Sequence, residues 1–354
     1  MQKYTLLGNL AAAAALLLGF SACSNEVDVI GEWKEIPIVY GILKTQDTAT
    51  YIRIEKAFLP PSTDATQVAQ IPDSIYFADG DITAKLYQNG TFFADLVRVD
   101  GALEGYPKDT GIFAQTPNIL YKTRRPLLNN ATYRLEIVSS RTGQTYNSST
   151  ETINNSGILI TTPSAARAVR WSFFDNNAHV FNDVKFDWRE PNNADIYDLS
   201  IFIKYDEFEV NGLEQELPNT RVSKVIVWKP VSNYIPSGIV ERQLNGEAFY
   251  RFIARQLSDV TGTNLRRCAR NMDVRLDMGG EDLALYVRAG SANQGVVGGL
   301  FPVDPYSNID GGYGIFSSTY FVERLNVPLD QDVFRYLKEG ELTQKLGFVS
   351  SGCP

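Results

Sequence analysis

The chain has 354 residues, 44% of them hydrophobic and 21% charged, with a formal net charge of -8 and a single histidine. That length exceeds one comfortable core and points to two domains, and the hydrophobic share excludes a disordered chain. The acidic balance argues against nucleic acid as a partner, because it repels phosphate backbones. An aromatic content of 12%, beside many Thr, Val and Ile, favours sheet over helix.

The first elements are those of an export signal. Lys3 precedes an apolar run from Leu6 to Phe20, and Ser21-Ala22 stand before Cys23: a basic start, a short apolar stretch and a small-residue cleavage site. The run falls short of the roughly 20 residues that span a bilayer, so residues 1–22 read as a cleaved signal rather than a transmembrane helix. Phe20-Ser21-Ala22-Cys23 resembles the bacterial lipobox, with Phe20 where Leu is usual. The resemblance implies that the Cys23 sulfur is acylated by palmitate-class chains and becomes the first residue. Several acyl chains, at about 0.8 kcal/mol per buried methylene, hold a protein on a membrane without crossing it. Cleavage there removes Lys3 and no acid, leaving 32 basic residues against 41 acidic ones.

Residues 23–35 read as a lipidated tether. Glu26 and Asp28 within it, split by Val27, resemble the acidic signal that sends some Bacteroidota lipoproteins to the cell surface.

From Ile36 to Leu43 a nearly continuous apolar run predicts a buried strand, and Tyr51 to Lys56 alternate as a second one closed by Pro60-Pro61. Ile82 to Tyr87 and Phe92 to Val99 flank Asn89-Gly90, a dipeptide suited to a type I′ hairpin. A further pair, Thr132 to Ile137 and Gln144 to Ile153, is joined across Arg141-Thr142-Gly143. These strands predict a mostly β protein whose residues 36–155 form an immunoglobulin-like β-sandwich.

After Asn154-Asn155-Ser156-Gly157, residues 156–354 predict a second β-rich domain with helical insertions. Val184, Phe186 and Trp188 share a strand face, and Tyr197 to Tyr205 alternate; the stretch from Trp188 to Tyr197 resembles a fibronectin type III strand pair. Further strands are expected at Lys224 to Trp228 and Leu283 to Arg288. Phe249, Phe252, Ile253 and Leu257 recur at helical spacing behind Asn245-Gly246-Glu247. Val333, Tyr336 and Leu337 do so behind Asp330 and Asp332, with Gly340 as the stop.

Little in the chain points to catalysis or cofactors. One histidine, His179, excludes the two-histidine zincin motif and reads as structural. Nucleophile elbows, Walker loops, S-x-x-K and C-x-x-C motifs are all missing, so no enzyme, metal or cofactor is expected. Asp277, Glu281 and Asp282 around Gly279-Gly280 offer carboxylates for a glycosidase or for calcium, or simply a solvated turn. The segment from Tyr306 to Phe316 is the most distinctive. Asn308-Ile309-Asp310-Gly311 has part of an EF-hand spacing, but Tyr306 and Ser317 occupy ligand places and reject calcium. Tyr306, Asn308, Asp310, Tyr313 and Phe316 form either a ligand platform or a tight bend into a strand from Phe316 to Val322.

Arg266, Arg267 and Arg270 read as a solvated basic face. In an oxidising compartment Cys268 and Cys353 either pair or remain two free thiols. Asp47-Thr48-Ala49 and Asp73-Ser74-Ile75 resemble the O-glycosylation acceptor of Bacteroidota envelope proteins, which would place glycans on Thr48 and Ser74.

The lipobox, the segment Ile38-Val39-Tyr40-Gly41-Ile42-Leu43 leading to Tyr51-Ile52-Arg53-Ile54, and the signature from Tyr306 to Phe316 together resemble a family of uncharacterised Bacteroidota outer-membrane lipoproteins, a domain of unknown function. Its members are often encoded beside TonB-dependent receptors. The resemblance implies a lipid-anchored outer-membrane protein, on the periplasmic face or the cell surface, that binds a receptor or secretion complex. It supplies no catalytic residue. A carbohydrate-binding or carbohydrate-active surface protein is the alternative, and an adhesive subunit that polymerises by strand donation is a third reading, for which neither terminus offers a donor strand.

Overall fold

The computed structural model describes residues 36–57, 65–157, 159–164, 170–234, 241–294, 305–349, 351 and 353. The signal segment, Cys23, the tether and Pro60-Pro61 lie outside the described residues. The protein is mostly β. Among the described residues no helix is long and apolar enough to cross a membrane.

The first strands follow the sequence pattern closely. β1 (Pro37–Lys44) and β2 (Thr50–Lys56) bury alternate residues and pair antiparallel, with Tyr40 opposite Arg53. β3 (Ile82–Gln88) and β4 (Thr91–Asp100) form the expected hairpin, in which Asn89 and Gly90 both adopt positive φ, 48° and 82°. β4 turns a corner: its first half pairs with β3, while Val97 to Asp100 pair with β5 (Ile119–Thr123), which also pairs with β2. β6 (Thr132–Ser139) and β7 (Thr145–Glu151) complete this layer on the far side of β3. The chain therefore folds back on itself in a sandwich-like arrangement. Val39, Leu43, Ile52, Ile54, Leu86, Tyr133 and Leu135 fill the space between its halves.

The second half builds a larger core. β11 (Val184–Arg189) pairs with β8 (Leu159–Thr162) and β14 (Glu241–Leu244), burying Val184, Phe186 and Trp188 as their alternation requires. β12 (Ile196–Glu209) pairs on one edge with β13 (Val222–Tyr234), and on the other with β15 (Leu265–Ala269) and β16 (Met272–Gly279). Trp188 and Tyr197 face each other from different sheets, ring centroids 5.3 Å apart. Helices α3 (Gly246–Gln256) and α5 (Gln331–Glu339) cover this core. They begin at Asn245 and Asp330, whose side chains accept the N–H groups of Ala248 and Asp332.

Two short helices, α1 (Ala65–Val68) and α2 (Pro72–Ile75), were not expected. Leu283 to Arg288 belong to a helix, α4 (Glu281–Gln294), and not to a strand. Leu-Ala-Leu-Tyr-Val-Arg carries a period-two pattern, but Glu281 and Asp282 stand in a first turn, where carboxylates suit the helix dipole. Gly279 before them admits the close approach of Leu283, whose Cδ2 lies 2.6 Å from where a Cβ would sit.

The packing also redraws the expected boundary near Asn155. β17 (Tyr313–Val327) is longer than the strand expected from Phe316 to Val322 and runs through both halves. Residues 313–319 pair parallel with β1, and residues 319–327 pair antiparallel with β16. Ile309 and Phe316 thus sit in the first core, whereas Val327 and Leu329 sit in the second, as does Ile153. The result is one continuous sheet in the order β13, β12, β16, β17, β1, β2, β5, β4, β3, β6, β7, with β15 beside β12.

Candidate functional site

The five residues from Tyr306 to Phe316 are divided between the core and the surface. Phe316 is wholly buried. The Asn308 carboxamide clasps it, accepting the Phe316 N–H at 2.9 Å and donating to its carbonyl at 2.7 Å. Asp310 donates its N–H to the Asn147 carbonyl, which joins the bend to the β7 edge, and the Ser148 hydroxyl donates to the Asn308 carbonyl. Tyr306 donates to Asp282 at 2.6 Å; burial first, and then that carboxylate, push its hydroxyl above the usual tyrosine range. Only Asp310 and Tyr313 turn exposed side chains outward. Gly314 explains the glycines: at φ 110° a Cβ there would lie 1.9 Å from the Val39 carbonyl oxygen. The segment serves as a clasp between β1 and β7.

The carboxylates around Gly279-Gly280 divide. Asp277 is held by Arg275 at 2.7 Å. Glu281 and Asp282 line a polar recess of about 460 Å³ with Glu151, Asp195, Asn193 and Thr150. Among the described residues the one trio of acid, Cys or His groups close enough to share a metal is Asp206, Cys268 and Cys353. Its two sulfurs are joined to each other in a disulfide, which settles the pairing left open by the sequence.

The arginines expected on a solvated face make three separate ion pairs. Arg266 meets Glu214, Arg270 meets Asp206, and Arg267 meets Glu207 at 2.8 Å. Arg267 is 2% exposed and also donates to the Ser258 and Leu346 carbonyls. Burial pushes the Glu207 carboxyl up, but hydrogen bonds from Lys224 and Arg267 outweigh it and hold the group below the usual range. Thr48 is exposed in the turn after β1, and Ser74 is partly exposed within α2.

Sequence reasoning missed a recess that takes in His179. A two-stranded hairpin, β9 (Phe174–Asp175) and β10 (Val180–Phe181), turns through His179 at φ 54°. Asp175 fixes that turn by accepting the N–H groups of Asn177 and Ala178, and these bonds hold its carboxyl below the ordinary range. The hairpin, α3 and α5 enclose a recess of about 560 Å³. Phe174, Phe181 and Tyr336 give it an aromatic wall, with Tyr336 4.3 Å from Phe174 and 5.5 Å from Phe181 between ring centroids. Its polar lining includes His179, Asn176, Glu247, Arg251, Glu339 and Glu341. Glu247 and Arg251 are paired across one helical turn at 2.6 Å. Behind the wall Tyr250 is fully buried, and its hydroxyl finds no partner among the described residues. Aromatic rings beside carboxylates, an amide and a guanidinium suit a polyhydroxylated or cationic ligand. These residues come from three separate stretches of chain, so no local motif announces them.

No protein-family model matches the sequence, and no curated protein matches it.

Proposed function

We propose that this protein is a lipid-anchored outer-membrane lipoprotein without catalysis of its own, acting as a binding or accessory subunit of an envelope complex such as a TonB-dependent receptor or a secretion assembly. The observation that carries this reading is Cys23, placed directly after an apolar signal and Ser21-Ala22. The clasped loop and the ion-paired arginines support it, because their polar groups are committed to structure. Affinity purification of the tagged protein from solubilised outer membranes recovers a stoichiometric partner on this reading; repeated recovery of the lipoprotein alone argues against it. Fractionation of Cys23→Ala tests the anchor: the variant leaves the sedimented envelope if acylation holds the protein there.

A second reading, a carbohydrate-binding or carbohydrate-active surface lipoprotein, is favoured by the recess that joins Phe174, Phe181 and Tyr336 to Asn176, Glu339 and Glu341. A glycan array and a reducing-sugar assay on the fragment from Ser24 that both come back blank retire it.

A further inference from the structure

One end of the first sandwich carries an apolar loop. β1 begins there, with Pro37 opposite Lys56 at the end of β2, Tyr313 beside Ile38, and Asp100 at the end of β4 opposite Ile119 at the start of β5. Residues 101–118, the connection from β4 to β5, leave from this end and turn back along β2 and β5, where Glu104 meets Lys122 and Tyr51. Leu103 is 88% exposed, Tyr106 54%, Ile112 58% and Phe113 42%. Four large apolar side chains on one surface loop need a reason.

Poor folding is not the reason, since the loop is tied down at both ends. Asp100 accepts the N–H groups of both Ala102 and Asn118 at 3.0 Å, and the Asn118 amide donates to the Tyr106 carbonyl at 2.7 Å. Ala114 donates its N–H to the Ala69 carbonyl, and the Tyr106 ring lies 4.8 Å from that of Tyr51. The loop presents its apolar groups outward from a fixed backbone.

The length of chain before β1 identifies what covers them. Twelve residues, Ser24 to Glu35, separate Cys23 from Ile36, and Ile36 sits at this end, its carbonyl accepting the Ala57 N–H. Twelve residues reach at most about 40 Å when fully extended and on the order of 20 Å as a flexible coil. Acyl chains on Cys23 therefore hold this end of the sandwich within that reach of the bilayer. Leu, Ile, Phe and Tyr together suit the boundary between headgroups and acyl chains, and the net charge of -9 left by 32 basic and 41 acidic residues after cleavage gives anionic headgroups no role.

We propose that the 101–118 loop rests in the zwitterionic surface of the membrane that carries the Cys23 acyl chains, through Leu103, Tyr106, Ile112 and Phe113, so that the molecule stands on its anchor in one orientation. This inference rests on the lipidation reading above, and its test separates the two. Leu103→Cys and Ile112→Cys are made in the lipidated full-length protein. With Cys23 acylated and Cys268 joined to Cys353, the new thiol is the sole one available for an environment-sensitive fluorophore. The control is Leu213→Cys: Leu213 is 79% exposed and follows β12, which runs parallel to β1, so it lies at the opposite strand ends.

In phosphatidylcholine vesicles the labels at 103 and 112 shift to the blue and are quenched by nitroxide-bearing lipid, unchanged by salt, while the label at 213 stays water-like. Water-like emission at 103 and 112 in protein that floats with the vesicles overturns the inference and leaves the anchor standing; failure to float overturns both. A blue shift that precedes vesicle addition and grows with protein concentration assigns the loop to a second copy instead and also overturns it.

Discussion

Phe316→Ala tests whether β17 makes the two cores one cooperative unit. The ring is fully buried in the first core, and a Cβ on Gly41 would come within 2.8 Å of its Cδ2. Truncating a buried Phe costs about 3–5 kcal/mol, a large part of the 5–15 kcal/mol that holds a typical domain. Taking about 4 kcal/mol and a urea m-value of about 3 kcal/mol/M, the midpoint falls by roughly 1.3 M. Two probes then separate the cores. Trp171, Trp188 and Trp228 all belong to the second core, so with Trp33→Phe as background the indole emission reports on the half that does not contain Phe316. Far-UV circular dichroism reports on both. If β17 couples the halves, the emission midpoint falls together with the dichroism midpoint. An unmoved tryptophan transition beside a lowered dichroism transition refutes the coupling.

Other substitutions probe single contacts. Gly314→Ala drives a methyl group into the Val39 carbonyl at positive φ and abolishes soluble yield, whereas Gly311→Ala, whose nearest neighbour is a Tyr146 ring atom at 3.2 Å, folds with a lowered melting temperature. Arg267→Ala leaves Glu207 buried with Lys224 as its remaining cation and costs about 3–5 kcal/mol in urea unfolding at pH 7. Glu207 has a depressed folded pKa, so its contribution is present above the unfolded value of about 4.3 and disappears as pH falls through the folded one. In Arg267→Ala the folded pKa rises towards the unfolded one, so the share of the acid loss that Glu207 carries, followed by unfolding midpoints from pH 7 to 3, shrinks. Cys353→Ser opens a loop of 85 residues, worth about 4.6 kcal/mol in the chain-entropy model, and its melting temperature matches that of the reduced wild type.

Local signals were legible and distant ones were not. Asn89-Gly90 announced its hairpin because both residues tolerate positive φ, and Asn245 and Asp330 announced two helices because their side chains accept first-turn N–H groups. The helix over Glu281 to Gln294 was missed because its apolar residues mimic a strand and its leading acids looked like chemistry. The His179 recess was invisible because its wall is gathered from residues 174, 181 and 336. Arg267 looked solvated since nothing near it in sequence reveals Glu207, which reaches it across paired strands. The parallel register of β1 and β17 had no local signature at all.

That register governs how the chain can assemble. The first strand to emerge finds its parallel neighbour about 275 residues later, the span also bridged by the Gln46 amide and the Phe321 backbone. Such long-range closure is slow. A nascent or translocating chain must keep the β1 edge unpaired until nearly its whole length has arrived, exposed meanwhile to any chaperone or foreign strand that reaches it first. Truncations that stop short of Tyr313 are accordingly expected to aggregate rather than to yield a shorter working unit.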